Sequence, residues 1–186
     1  FVTKKKKEYL MKKTIFALLG FVFLTVTGVT FSHAQDTSSL SGIWITQKPE
    51  KHARIEIAPC AGNPQTFCGK IIELQQPVYP NDDPDAGKEK HDRHNPEATL
   101  QSRPLLGLTI LTGFQSTGEN TWENGEIYNP EDGKTYSCEI TLNKDGDTQT
   151  LDVRGFVGIS LLGKTQTWKR ETSHGKATAW MAGQDE

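Results

Sequence analysis

The sequence predicts an all-β fold: an eight-stranded up-and-down antiparallel barrel with one long polar loop and a short helical turn. Three observations predict it. Between residues 40 and 170, short runs alternate apolar and polar residues with the period of two expected of half-buried strands. Turn-forming clusters of Gly, Pro, Asn and Asp separate these runs at regular intervals, and no stretch carries the 3.6-residue period of an amphipathic helix. Eight such strands in about 150 residues suit a sheet closed on itself, whose interior is either filled by side chains or holds one small ligand.

Taken in order, residues 1–34 are set aside. Residues 1–10 carry four consecutive lysines and are read as an upstream extension. Met11-Lys12-Lys13, an apolar run over 15–29, and Ser32-His33-Ala34 form the pattern of a cleavable export signal ending near Ala34. The expected product is a periplasmic or secreted chain with no membrane span after cleavage. Its barrel domain covers 35–170 and its polar, flexible tail covers 171–186. Residues 1–34 hold six lysines and one glutamate, so setting them aside takes 21 basic and 23 acidic residues to 15 and 22. The resulting net charge of about −7 argues against nucleic acid as a partner.

The first strand is expected over 40–46 and the second over 54–58, where Arg54-Ile55-Glu56-Ile57-Ala58 alternates strictly. The third covers 67–74. Residues 75–90 hold three prolines and four acids without apolar periodicity and read as a loop. A helical turn follows over 97–102, with Asn95 as its N-cap and Pro96 at the first position. Further strands are expected over 106–114, 121–128 (with Gly125 as a candidate bulge), 134–142, 149–157 and 164–170. The Gly-rich connection 158–163 carries Leu161 and Leu162 and reads as core packing, with a lip for an apolar ligand or a docking patch as the alternatives.

Export permits disulfides. Cys60 and Cys68 flank a turn-rich segment between two strands, where a bridge would clip a hairpin. The competing reading, a metal pair, has no further Cys or His at zinc spacing nearby. Cys138 shares a strand face with Tyr136, Ile140 and Leu142 and reads as a buried, inert thiol.

Gly42-Ile43-Trp44 opens the first strand and Trp168-Lys169-Arg170 closes the last. In a closed sheet these strands are neighbours, so an indole can lie under a guanidinium that also binds nearby carbonyls. Gly42, Trp44, Trp168 and Arg170 form this expected clasp, which resembles the G-x-W and late arginine of lipocalin and calycin barrels.

A wider set of motifs is similar to one family: Asp92 and Asn95-Pro96; Arg103-Pro104-Leu105-Leu106-Gly107; Trp122, Gly125, Ile127-Tyr128, Pro130, Gly133-Lys134 and Tyr136; Arg154-Gly155-Phe156-Val157-Gly158; and Leu162-Gly163, Thr165-Gln166, Trp168 and Arg170. Together they span about 42–170 and resemble the exported bacterial family catalogued as domain of unknown function 2147 (DUF2147). The resemblance implies a periplasmic or secreted protein with a calycin-like barrel and no established activity, so it carries no catalytic residues over. Cys60 and Cys68 also match a cysteine pair of many members. Cys138 stands where that family would be expected to have a small or polar residue.

The candidate site gathers around 91–108. Asp92, Asn95 and Arg103 either form a polar cluster at the barrel mouth, with Arg103 meeting an anionic head, or pin the loop through an Asp92–Arg103 pair and an Asn95 cap. Trp122, Tyr128, Tyr136 and Phe156 are the expected apolar lining. His91 and His94, with neighbouring acids, are the only metal candidates, and the spacing fails an EF-hand. No complete catalytic motif is present, so no catalytic residue and no cofactor is assigned. The reading is a barrel that binds a small apolar or amphipathic molecule in the cell envelope. The alternatives are a filled barrel that contacts an envelope protein through 91–108 and, third, a metal-dependent or carboxylate hydrolase.

Overall fold

Alternation along most strands turns their apolar residues to one face, and eight consecutive strands bury those residues by wrapping them around a common interior. The computed structural model describes residues 40–48 and 51–172. Its strands are β1 (Gly42–Thr46), β2 (Ala53–Cys60), β3 (Asn63–Leu74), β4 (Thr109–Ser116), β5 (Thr121–Asn129), β6 (Lys134–Asp145), β7 (Thr148–Phe156) and β8 (Lys164–Arg170). Each pairs antiparallel with its sequence neighbours, and β1 pairs with β8, so the sheet is a closed up-and-down barrel. Residues 1–39, with the export signal and its cleavage site, and residues 173–186 of the tail lie outside the described residues. Glu171, just past β8, is tied to the barrel: its N–H donates to Ile43 O at 2.9 Å and its carboxylate pairs with Arg54.

The β1–β8 junction closes one end. Trp44 is fully buried and its indole N–H donates to Leu40 O at 3.0 Å. The Arg170 guanidinium lies 4.2 Å from the centre of the Trp44 ring and donates to Ser41 O at 2.8 Å. Gly42, at φ +139°, is required there because a Cβ would stand 2.5 Å from Arg170 Nη1. Trp168 belongs to the buried core of β8, and the ring under the Arg170 guanidinium is that of Trp44.

Trp122, Phe67, Phe114, Leu142 and Leu151 pack the barrel interior. Room for the large rings comes from missing side chains: a Cβ on Gly125 would meet the Phe114 ring at 2.5 Å, and one on Gly69 would meet Leu111 at 2.8 Å. The expected bulge therefore falls beside Gly125. The β5–β6 register slips between Trp122 and Gly125, and Asn124 takes the positive φ of 60°.

Cys60 and Cys68 are bonded and clip the β2–β3 hairpin. Cys138 is buried, and burial, aided by the charge of Glu139, pushes its thiol up to about 12, far from a reactive thiolate. The helical turn is shorter than expected, a 3-10 turn over Ala98–Leu100. Asn95 lies three residues before Ala98 and accepts the Glu97 N–H at 2.9 Å in an Asx turn, so Glu97 takes the cap position. A second 3-10 turn, Ser160–Leu162, buries nothing: Leu161 and Leu162 are 82% and 77% exposed, which overturns the expectation that this connection packs into the core.

Candidate functional site

An up-and-down barrel sends alternate connections to opposite ends. The β2–β3, β4–β5 and β6–β7 turns share the clasped end. The connections 47–52, 75–108, 130–133 and 157–163 share the other, and all four contribute to the rim of a cavity of about 950 Å3. That volume lies in the range that takes up a whole small ligand. Strand residues Ile55, Ile71, Ile110, Ile127, Val153 and Trp168 form its apolar wall. The barrel is therefore filled towards the clasp and hollow towards the mouth.

The Asp92 carboxylate lies behind the wall at 0% exposure and is met from three sides. Arg103 donates to Oδ2 through Nε at 2.8 Å and through Nη2 at 2.8 Å. Asn95 Nδ2 donates to the same oxygen at 2.8 Å, and the Tyr128 hydroxyl donates to Oδ1 at 2.6 Å. The Asp92 N–H also donates to Arg103 O at 3.0 Å, so backbone and side chains lock the two halves of the stretch together. The Arg103 guanidinium sits 5.4 Å above the Tyr128 ring centre. Burial and then the Asp92 hydrogen bond push the Tyr128 hydroxyl above the usual phenol range, so it stays a neutral donor. The knot thus presents the Tyr128 ring to the cavity in one fixed orientation.

The long loop also has an internal frame. Arg93 binds Asp83 in a two-pronged pair, at 2.7 and 2.9 Å, while its guanidinium lies 4.2 Å from the Tyr79 ring centre. Tyr79 donates its hydroxyl proton to His91 O at 3.0 Å. Arg93, then a hydrogen bond from the Asp85 N–H, hold the Asp83 carboxyl down at about 2, against 3.8 ordinarily. A carboxyl depressed on folding contributes stability that is present above its unfolded pKa and lost as pH falls through the folded one. Amide protection at Gly87 and Lys90, whose N–H groups are held within this loop, is therefore expected to be retained at pH 4 and lost as pH approaches 2. Hydrogen exchange corrected for intrinsic rates would measure it; protection that falls fully before pH 4 would contradict the assignment.

Of the residues singled out in the sequence, Tyr128, Tyr136 and Phe156 lie in the cavity lining. Asp92, Asn95 and Arg103 do not; they lie behind Tyr128 and are engaged with one another. Trp122 is buried outside the lining, in the packed part of the core. Trp168, assigned to the clasp from the sequence, pairs with Thr46 across the β1–β8 junction, lines the cavity wall and donates its indole N–H to Gln166 Oε1 at 3.4 Å. His91 and His94 are at the rim, and among the described residues no three His, Cys, Asp or Glu side chains gather as a metal site. The reading from sequence missed the rim cations Lys48, Lys51, Lys90 and Lys164. Lys48 and Lys51 lie in the 47–52 connection, Lys90 in 75–108 and Lys164 at the start of β8; no spacing pattern links them, and only barrel closure brings them together.

The chain also resembles known proteins. A family model described as "Uncharacterized protein conserved in bacteria (DUF2147)" matches residues 42–170. No curated protein matches the chain. One similar solved structure is described as "Protein HP1028 from the human pathogen Helicobacter pylori belongs to the lipocalin family". The two are 28% identical, with a TM-score of 0.58 over 73% of this chain and 85% of that one. Among the described residues no helix is long and apolar enough to cross a membrane, and a disulfide fits an oxidising compartment. The barrel is a closed, eight-stranded, lipocalin-like one, and with the family model matching residues 42–170 the chain belongs to the bacterial family DUF2147.

Proposed function

We propose that this protein binds a small, partly apolar molecule in the open half of its barrel and does so in the cell envelope, as a periplasmic or secreted protein. The observation that carries this reading is the cavity of about 950 Å3, walled by aliphatic side chains and Trp168 and open at one end only. Tyr128, Tyr136 and Phe156 are the aromatic contacts. Exposed Val157 and Leu162 reach the lining from the 157–163 connection and give the mouth an apolar side. The export pattern around Ala34 and the Cys60–Cys68 bridge support the location. The competing reading, a filled barrel that contacts a protein through 91–108, has less support, because the mouth half is hollow and Asp92, Asn95 and Arg103 are used on one another.

Gly155 provides the test. It lines the cavity, and a Cβ there would meet Ile127 Cγ2 at 3.4 Å and Tyr136 Cβ at 3.7 Å, ordinary contact distances. Gly155→Leu is expected to fold with stability within about 1 kcal/mol of the parent. It should bind an apolar fluorescent reporter about tenfold more weakly or worse. Native mass spectrometry of the parent purified from its host should show a retained small-molecule adduct that the variant lacks. A parent with neither adduct nor reporter binding ends this reading.

A further inference from the structure

The rim of the cavity carries a charge opposite to that of the chain around it. Five cations line it, Lys48, Lys51, Lys90, Arg93 and Lys164, against three acids, Asp83, Glu131 and Asp132. The acids are already engaged. Asp83 holds Arg93, Glu131 holds Lys48 at 3.0 Å, and Asp132 accepts the Tyr136 hydroxyl at 2.6 Å. Among the described residues no carboxylate lies within ion-pair distance of the ammonium groups of Lys51, Lys90 or Lys164.

Lys90 cannot swing away from this arrangement as a whole residue. Its N–H donates to Pro77 O at 2.8 Å and its carbonyl accepts from Leu105 N–H at 2.9 Å, so the backbone is pinned on both sides. Its side chain is half-buried at the mouth. Burial, and then the charge of Lys51, hold its ammonium below the usual lysine range. Two like charges kept near each other above an apolar cavity are a standing electrostatic cost that a bound anion removes.

We infer that the occupant is an anionic amphiphile, a single acyl-like chain whose carboxylate or phosphate head is held at the mouth by Lys51 and Lys90. This rests on the proposed cavity function and narrows it to a class. An apolar body fits the aliphatic wall. Two of the three acids that would repel an anionic head, Asp83 and Glu131, are paired with Arg93 and Lys48, which leaves Asp132, bonded to the Tyr136 hydroxyl, against Lys51, Lys90 and Lys164. Arg103 takes no part, because Asp92 occupies it.

The test uses three ligands with the same twelve-carbon chain: dodecanoate, dodecyl phosphate and 1-dodecanol. They are titrated calorimetrically into the purified protein below their aggregation concentrations. At least one anion is expected to bind about tenfold tighter than the alcohol, with the advantage shrinking as salt rises. Carboxylate-only or phosphate-only binding identifies the head. Lys51→Gln combined with Lys90→Gln should erase the anion's advantage and leave alcohol binding unchanged. Lys90→Arg, which keeps the charge, and Lys169→Gln, an exposed lysine outside the mouth, should preserve it. Lys51→Gln alone, at an exposed position, should reduce it even if the double variant folds poorly. Alcohol bound as tightly as both anions, or an advantage that survives the double substitution, overturns the inference and leaves the cavity function standing. No binding of any of the three overturns both.

Discussion

Replacing Asp92 with alanine is expected to lower the unfolding free energy by about 3 kcal/mol, a large share of the roughly 5–15 kcal/mol typical of a domain. The carboxylate is wholly enclosed and accepts from Arg103, Asn95 and Tyr128 at once. Removing it does not affect the three donors equally. Arg103 is 36% exposed and can turn to water, which keeps the loss below the top of the range for a broken buried pair. Asn95 Nδ2 keeps the Tyr128 oxygen at 3.1 Å. The Tyr128 hydroxyl, half-buried, loses its acceptor, and the 91–103 stretch loses its link to β5. Urea unfolding measures the total. A cycle with Tyr128→Phe separates the hydroxyl's share: the double variant should be less destabilised than the sum of the singles. Asp92→Asn keeps an oxygen for Tyr128 but turns an amide towards Arg103 or Asn95, so an intermediate loss is expected. A loss under about 1 kcal/mol for Asp92→Ala would mean that the knot contributes little to stability.

Gly133→Ala should be at least as damaging, for a different reason. Gly133 has a φ of +69°, and a Cβ there would stand 1.9 Å from His94 O and 2.7 Å from His94 C. Both neighbours are backbone, so no side chain can rotate away. The substitution adds left-handed strain, about 1 kcal/mol, to an overlap that only separation of the 129–133 turn from the 91–95 segment can relieve. A total of about 3 kcal/mol or more is expected, together with loss of reporter binding, since both segments line the mouth. Gly146→Ala is the control. Its φ is +54° but nothing lies within 4 Å of the added carbon, so it should show the strain alone. Equal losses for the two variants in thermal melts would show that the His94 contact does not matter.

Much of the architecture was legible because period-two alternation runs through β2, β6 and β7 and turn clusters separate the strands, although it breaks in β4, where Ile110 and Leu111 are buried side by side, and at the bulge in β5. Residues 164–170 were bounded from the sequence as they are found, and β6 and β3 run longer only at their polar turn ends. The clasp was legible because closure brings the two chain-distant strands β1 and β8 together, which places Trp44 beside Arg170. The division of the interior was not. A buried aromatic on a strand reads the same whether it lies in the filled half, as Trp122 does, or on the cavity wall, as Trp168 does. Nor does the sequence say how charges pair in space. Asp92 and Arg103 were weighed both as a mouth and as a pin, and only geometry shows that they point at each other. Lys51 and Lys90 lie 39 positions apart with no pattern to connect them.

Closure of the sheet has a further effect on how this protein can self-associate. Among the described strands each has a hydrogen-bonded partner on both sides, so no row of unpaired amides is offered to another copy. The apolar residues of the 157–163 connection are left to stick only through side chains. Any clustering of the folded barrel at high concentration should therefore be reversible and dispersed by mild detergent. Growth of amyloid-type fibrils would first require the β1–β8 seam to unzip.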